Sequence, residues 1–193
     1  KYRPFEMHCH TRHSDGTFLV PQLIESVAAY GYAGLALTDH NAVTGLLEVT
    51  EELQRKNNCL VLPGIEWTTF YGHLLVIGCD RFVDWRFVTP DTIDEALQEI
   101  RAAGGIAGVA HPCEVGSPLM CGCNWEFRVK RWDLMDYVEI WSGPDPHASA
   151  KNGLAMPWYD ALLNQGYHLA ISAGRDWHGP DKPGQIPLLT ATY

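Results

Sequence analysis

The chain has 193 residues, 46% of them hydrophobic and 19% charged, with a formal net charge of −9. Those values fit one folded domain with a sizeable core and exclude a disordered chain. The acidic balance argues against a nucleic-acid backbone as partner, and no apolar run approaches the ~20 residues of a membrane helix.

Taken in chain order, residues 5–10 read as a first strand. Residues 21–30 read as a helix with Pro21 in its first turn and Gly31 as its stop. Residues 35–38 form the next strand and 43–56 the next helix. Two strands follow, 60–70 and 73–79, joined by a short turn around Tyr71-Gly72. A helix is expected over 92–103, with Asp91 a candidate N-cap and Gly104-Gly105 as its stop. Residues 106–110 are short, apolar and bounded by Gly and Pro, like a buried parallel strand. A strand over 137–141, a helix over 154–165 and strands over 169–173 and 187–193 complete the pattern. No helix follows the last strand, so the chain is expected to stop short of a closing element.

Alternating βαβ units predict a parallel sheet, either open and doubly wound or closed as a barrel. Histidines and carboxylates decide between them. They stand in short clusters, most at the ends of strand-like runs: His8-Cys9-His10, then Asp15, His40, Glu66, His73, His111 and Asp176-Trp177-His178. Convergence of several strand ends on one site is the property of a barrel mouth. The expected fold is therefore a single α/β barrel domain spanning 1–193, smaller than the eight-unit form. Side chains two apart on a strand share a face, so His8 with His10, and Asp176 with His178, can each offer two ligands to one cavity. Imidazole and carboxylate without a matching thiolate set suit zinc, manganese or iron.

Residues 113–132 break the alternation. They carry Gly116, Pro118, Gly122, Trp125, Phe127 and the bases Arg128, Lys130 and Arg131. Leaving the site directly after His111, this stretch is a candidate lid, with a surface excursion packed by its own aromatics the equal alternative. The six cysteines read mostly as reduced and structural, because Cys9 and Cys79 sit in apolar strand-like runs. Cys121-Gly122-Cys123 alone is a poor metal motif. Reduced cysteines make a cytoplasmic setting the expectation; no charged-then-apolar leader is present in this sequence, although one could have been removed.

As a set, H-x-H followed by S-D-G, then T-D-H-N, G-x-E, A-H-P and D-x-H resembles the PHP family, named for its polymerase-associated and histidinol phosphatase members. The resemblance runs from His8 to Gly179. Glu66 followed by His73, and the run Val138-Glu139-Ile140-Trp141-Ser142-Gly143, look most like its stand-alone metal-dependent phosphoesterases, a branch that also holds carbamate-hydrolysing relatives. The resemblance implies a distorted (β/α)7 barrel with two or three divalent ions (Zn, Mn or Fe). Carried onto this sequence, His8, His10 and Asp176 would bind the first ion and Glu66 would bridge it to a second, completed by His73 and His111. Asp15, His40 and His178 would bind a third.

The implied reaction is hydrolysis of a phosphoester, a small phosphomonoester or nucleotide, by water activated near Glu66. His178, His40 or a water would supply the proton to the leaving oxygen. Arg12, Arg175 and Lys130 flank the motifs or the loop and are candidate phosphate clamps, with solvated surface charges the alternative. Two other readings stay open: carbamate or amide hydrolysis at the same site, and a PHP module that binds metal without turnover. His13 reads as a solvated loop residue or a substrate contact, and His147 and His168 as structural. Asp39 and Glu139 either orient ligands from behind or serve local structure. Trp177, between two ligands, should face the barrel wall.

Overall fold

In the computed structural model, which describes residues 2–116, 122–145, 147, 149–182 and 192, seven strands form one sheet in the order β1-β2-β3-β4-β5-β6-β7. They are β1 (Phe5–Glu6), β2 (Gly34–Leu37), β3 (Leu60–Thr69), β4 (Gly72–Ile77), β5 (Ile106–Ala110), β6 (Tyr137–Ser142) and β7 (Ala170–Gly174). Four α-helices accompany them: α1 (Val20–Ala29), α2 (Glu51–Asn57), α3 (Ile93–Ala102) and α4 (Ala150–Asn164). The sheet curls until its ends meet: Cys9 bridges Trp177 in parallel, with His10 N–H donating to the Trp177 carbonyl at 2.9 Å. Thr192 pairs with Phe5 on the same seam. This is the distorted seven-stranded α/β barrel that the motif order implies.

Parallel pairing holds on both flanks of the sheet but fails in the middle, where β4 runs antiparallel to both β3 and β5. The reason is local. Tyr71-Gly72 leaves too little chain for a crossover, which needs a dozen or more residues, and Gly72 takes the left-handed φ of +122° that the tight turn requires.

Other boundaries shift for equally local reasons. The helix expected over 43–56 divides into a 3-10 helix, Thr44–Glu48, and α2, because Val49 is extended and Thr50 caps a new start by accepting from Leu53 N–H at 3.1 Å. The first strand shortens to Phe5–Glu6 because beyond it only Cys9 is bridged. The N-cap position of α3 falls on Thr92, which makes no side-chain cap bond, and not on Asp91, whose carboxylate pairs with Arg128. α4 begins at Ala150, four residues before the expected 154. Of the strand expected over 187–193, residues 187–191 and 193 lie outside the described residues.

Alternation along β4 sorts the core. Leu74 and Val76 face outward into the cluster under α3 and α4, while Leu75 and Ile77 face the barrel interior with Ala36, Ala110 and Tyr137. A third cluster beneath α1 includes Phe18, Leu23, Ile24, Val27 and Trp177, so Trp177 faces the wall as its alternation with two ligands demands. The interior apolar residues form a floor, and His73, two residues before Leu75, stands above it on the same face of β4.

Packing is close where β7 approaches the segment that follows β1. A Cβ on Gly174 would stand 2.5 Å from His8 Cβ and 2.7 Å from Glu139 Oε1, neither of which can retreat in a filled interior. Gly174→Ala should therefore lower the unfolding free energy by about 1–3 kcal/mol, read as a reduced urea midpoint in the metal-free protein. An unchanged midpoint would show that the seam has slack.

Candidate metal centre

Glu66 is the middle of the site. It lies on the inward face of β3, fully buried, and each oxygen meets imidazoles from several elements. Oε2 is 2.9 Å from His40 Nδ1, 3.1 Å from His8 Nε2 and 3.4 Å from His10 Nε2. Oε1 is 2.9 Å from His73 Nδ1 and 3.1 Å from His111 Nε2. The hairpin explains His73: Thr68 pairs with His73 and Glu66 with Leu75 across β3 and β4, so a residue seven positions along the chain returns beside the carboxylate.

Asp176 collects the next group. Its Oδ1 lies 3.4 Å from His8 Nε2, 3.2 Å from His10 Nε2 and 3.5 Å from His178 Nδ1. Asp15 closes the outer side, with Oδ1 at 3.2 Å from His178 Nε2 and 3.6 Å from His40 Nε2. All nine candidate ligands thus converge at the strand ends. Their donor atoms fall into four overlapping groups able to hold an ion: His10-Asp15-His40-His178, His8-His111-Asp176, His8-His10-Glu66 and His40-Glu66-His73. The sharing differs in detail from the motif-based assignment, since His111 groups with His8 and Asp176, and His10 joins the outer set.

The donor set fits cations. Buried atoms without a hydrogen-bond partner gather here: His8 Nε2, His10 Nδ1, Glu66 Oε2, His73 Nε2 and His111 Nδ1. His8 Nε2 and Glu66 Oε2 are close but lack hydrogen-bond geometry. Such a concentration of unsatisfied polar atoms is costly in a folded core unless ions complete it.

Charge is correspondingly strained. Burial alone would raise the Glu66 carboxyl, yet His8, His111, His40 and His73 hold it well below the usual range. Asp176 is held down in the same way by His8, His10 and His111. His10 is lowered by burial. His8 is pushed well above its usual value against its own burial, by Glu139, Glu66 and Asp176. At the rim, the hydrogen bond to His178 takes Asp15 to about 2.

Two candidate ligands, His111 and Asp176, adopt left-handed φ values of 23° and 48°, a conformation that non-glycine residues hold only when their surroundings over-determine it. Buried acids supply that constraint. Glu139 accepts from His111 N–H and from His8 Nδ1, both at 3.0 Å, which leaves His8 Nε2 facing the site. Glu6 accepts from His8 N–H and Arg175 N–H, both at 3.0 Å, and burial pushes its own carboxyl up to about 8. Asp39 accepts from Thr11 N–H at 2.7 Å, Thr11 Oγ1 at 2.8 Å and Ser14 Oγ at 2.7 Å. It therefore shapes the loop that carries Asp15. Asn41 binds both the N–H and the carbonyl of Thr68 at 2.9 Å, tying the end of β2 to β3.

The remaining candidates are placed differently. Arg175 is fully buried, stacked 4.2 Å over Trp177 and 4.8 Å over Tyr30 and paired with Asp181. Its guanidinium braces the barrel wall, correcting its expected role as a phosphate clamp. Arg12 Nε is spent on the Thr17 carbonyl at 3.2 Å. The Lys130 and Arg131 N–H groups bind Asp94 at the start of α3, outside the barrel. His13 is tied to Thr44 and Glu48 at 2.8 Å, His147 meets Trp141 edge-on and His168 is exposed. Within the candidate lid, residues 117–121 lie outside the described residues. The part after it packs Trp125 and Phe127 against each other and against the β3–β4 turn. Cys9, Cys59, Cys79 and Cys113 are free thiols, and Cys121 lies outside the described residues.

One residue went unnoticed in the sequence. Lys151, on the first turn of α4, places Nζ 2.6 Å from Glu114 Oε2 and 4.0 Å from Asp176 Oδ2. Nothing in its local pattern marks it, because the contact is tertiary. Of the acids behind the ligands, Glu139 touches two of them, so Glu139→Ala should weaken metal affinity about 10- to 100-fold, measured by competition with a chromogenic chelator. Parental affinity in that variant would show that packing alone fixes His8 and His111.

Comparisons with known proteins agree with this geometry. A 3',5'-nucleoside bisphosphate phosphatase from Chromobacterium violaceum is 34% identical over 79 residues, covering 39% of this chain and 27% of that protein. The chain thus spans about a quarter of its curated relative's length. Among solved structures, a two-domain Bacteroides vulgatus protein containing a predicted PHP-like metal-dependent phosphoesterase superposes with a TM-score of 0.67 at 18% identity. That match covers 92% of this chain and 52% of the other. A Bifidobacterium adolescentis protein proposed to be a metal-dependent phosphoesterase gives 0.64 at 17% identity, covering 99% and 93%. An amidohydrolase from C. violaceum with bound sulfate and no metal gives 0.64 at 19% identity, covering 98% and 91%. At these identities the structural matches establish the fold. The PHP domain model matches residues 6–109, more than half of the chain, and the chain belongs to the PHP domain family.

Proposed function

We propose that this single domain, residues 1–193, is a metal-dependent phosphoesterase acting on a small phosphomonoester or nucleotide. The observation that carries the reading is Glu66, a fully buried carboxylate in contact with five imidazoles. The bisphosphate phosphatase similarity supports a phosphorylated substrate. His8, His10, Asp15, His40, Glu66, His73, His111, Asp176 and His178 would hold two or three divalent ions, zinc, manganese or iron. When bound, the ions would supply an acidified water as nucleophile and neutralise charge developing on the phosphoryl oxygens.

The residues divide the remaining work. Glu66 offers an oxygen to each side of the cluster and is oriented on both by imidazoles. His8, His10, His73 and His111 are enclosed and exclude bulk water, whereas the His40 and His178 side chains are 22% and 37% exposed and line the mouth. His178 Nδ1–H donates to the Asp176 carbonyl at 2.8 Å, which reserves Nε2 for ligation. His40 Nδ1 is engaged by Thr68 Oγ1 and Glu66 in the same manner. These contacts support both imidazoles as ion holders in the proposed site, with water as the proton donor to the leaving oxygen. No helix among the described residues is long and apolar enough to cross a membrane.

His178 also predicts proton release. Burial would lower it, but Asp15 and Asp176 raise it to about 9. In the metal-free protein its proton stabilises the fold fully below the ordinary 6.5, and that contribution is lost as pH rises through about 9. At neutral pH the proton must leave when Nε2 ligates, so metal-binding heats should scale with the ionisation enthalpy of the buffer. Buffer-independent heats would exclude His178 as a ligand.

The reading as a whole is tested by chelation and by two substrates. Stripping the metals should abolish hydrolysis of a nitrophenyl phosphate, Mn²⁺ or Zn²⁺ should restore it, and His8→Ala should lose both metal and turnover. Cleavage of a nitrophenyl carbamate in place of the phosphate would move the assignment to the carbamate or amide class. Turnover surviving in the stripped protein would end the metal mechanism.

A further inference from the structure

We propose that Lys151 is the substrate-binding cation of this site and that it selects an anionic ester, such as a phosphoryl group, over a neutral one. The inference deepens the phosphoesterase reading and rests on it. Of the basic residues expected to hold a phosphate, Arg175 is engaged within the wall, Arg12 turns Nε to a loop carbonyl, and Lys130 is anchored by its backbone to Asp94 at the start of α3. Lys151 approaches the ligands themselves.

Its mounting is rigid. The next residue, Asn152, donates to the Ser142 carbonyl and accepts from the Ser142 N–H, both at 3.0 Å, with both residues buried. This pair of bonds fixes the start of α4 to the end of β6 and points the preceding residue toward the mouth. The Lys151 side chain is 18% exposed, enclosed enough to be oriented and open enough to meet a ligand.

Asp176 makes the connection to the chemistry. One of its oxygens faces His8 and His10, and the other lies 4.0 Å from Lys151 Nζ. An anion held beside Asp176 therefore lies within reach of the ammonium. Lysine carries three donors on a flexible stem, and the partner it now holds, Glu114 Oε2, also stands 3.4 Å from His111 Nδ1. Glu114 thus keeps a polar neighbour when the ammonium turns to substrate. A neutral carbamate would draw no charge-assisted hydrogen bond from it.

The test uses the metal-loaded chain with Lys151→Gln and Lys151→Arg, and inorganic phosphate as the probe. Calorimetry should show phosphate affinity weakened about 10- to 100-fold in Lys151→Gln and mostly recovered in Lys151→Arg. Metal content and Tm should match the parent. KM for a nitrophenyl phosphate should rise by a similar factor, while hydrolysis of any nitrophenyl carbamate should not change. Unchanged phosphate affinity in Lys151→Gln overturns the proposal, and so does loss of metal together with phosphate, which would make Lys151 a brace for Asp176. If the parent cleaves carbamate alone, the phosphoesterase reading fails on that result, and the phosphate affinities still decide the role of Lys151.

Discussion

A carboxylate sealed inside a barrel must be paired on every side or it will not stay ionised, and Glu66 imposes that demand on this structure. Five imidazoles answer it, delivered by four separate segments: the end of β1, which brings both His8 and His10, the end of β2, β4, and the turn after β5. The departure from parallel order at β4 follows from the same demand. A helical crossover after β3 would carry the chain back to the far end of the barrel before the next strand began. The hairpin instead returns it within a few residues and sets His73 two positions from Leu75, the cross-strand partner of Glu66. The fold gives up one parallel unit at the place where two ligands must be close in both sequence and space.

Behind the candidate ligands stands a second set of buried acids that belong to no candidate ion group. Glu6, Asp39 and Glu139 each accept a backbone N–H at or beside a ligand: His8, Thr11 and His111 respectively. Backbone donors at strand ends have no ladder partner, and a loop that turns sharply into a cavity leaves them stranded. A carboxylate from a neighbouring strand satisfies such a donor and simultaneously locks the turn. The left-handed φ values at His111 and Asp176 cost on the order of 1–3 kcal/mol each. Those turns persist because acids and tight seams, Gly174 against His8 among them, leave the backbone no alternative.

The convergence of the nine candidate ligands was legible because two rules overlap there: a spacing of two keeps side chains on one face, and barrel sites form at strand ends. The same alternation, read strictly, also places Arg175 opposite Asp176, on the wall beside Trp177; adjacency in the chain suggested a clamp where the strand geometry forbids one. The break at Val49-Thr50 was hidden by a run of helix-compatible residues, in which a lone threonine cap outweighs propensity. The antiparallel strand was hidden because short apolar strands look alike in either direction, and only the two-residue turn separates them. Lys151 could not be read at all, since its place depends on how α4 docks against β6.

Burial divides the site into layers with different tasks. The floor of Ala36, Leu75, Ile77, Ala110 and Tyr137 is dry and close-packed, so it fixes the height of Glu66 and tolerates little change in volume. The middle layer, from His8 to His111, is enclosed and can hold ions but cannot tell one substrate from another. Asp15, His40, His178 and Lys151 open toward solvent. Three of these belong to the outer ion group, and the fourth is the cation beside Asp176. Under the proposed function, water activation would draw on the enclosed layer, and the choice between an anionic phosphoryl group and a neutral carbonyl would fall to the rim. A surface loop can change there without disturbing a buried carboxylate, which is why a constellation so legible in the sequence specifies the chemistry more closely than the substrate.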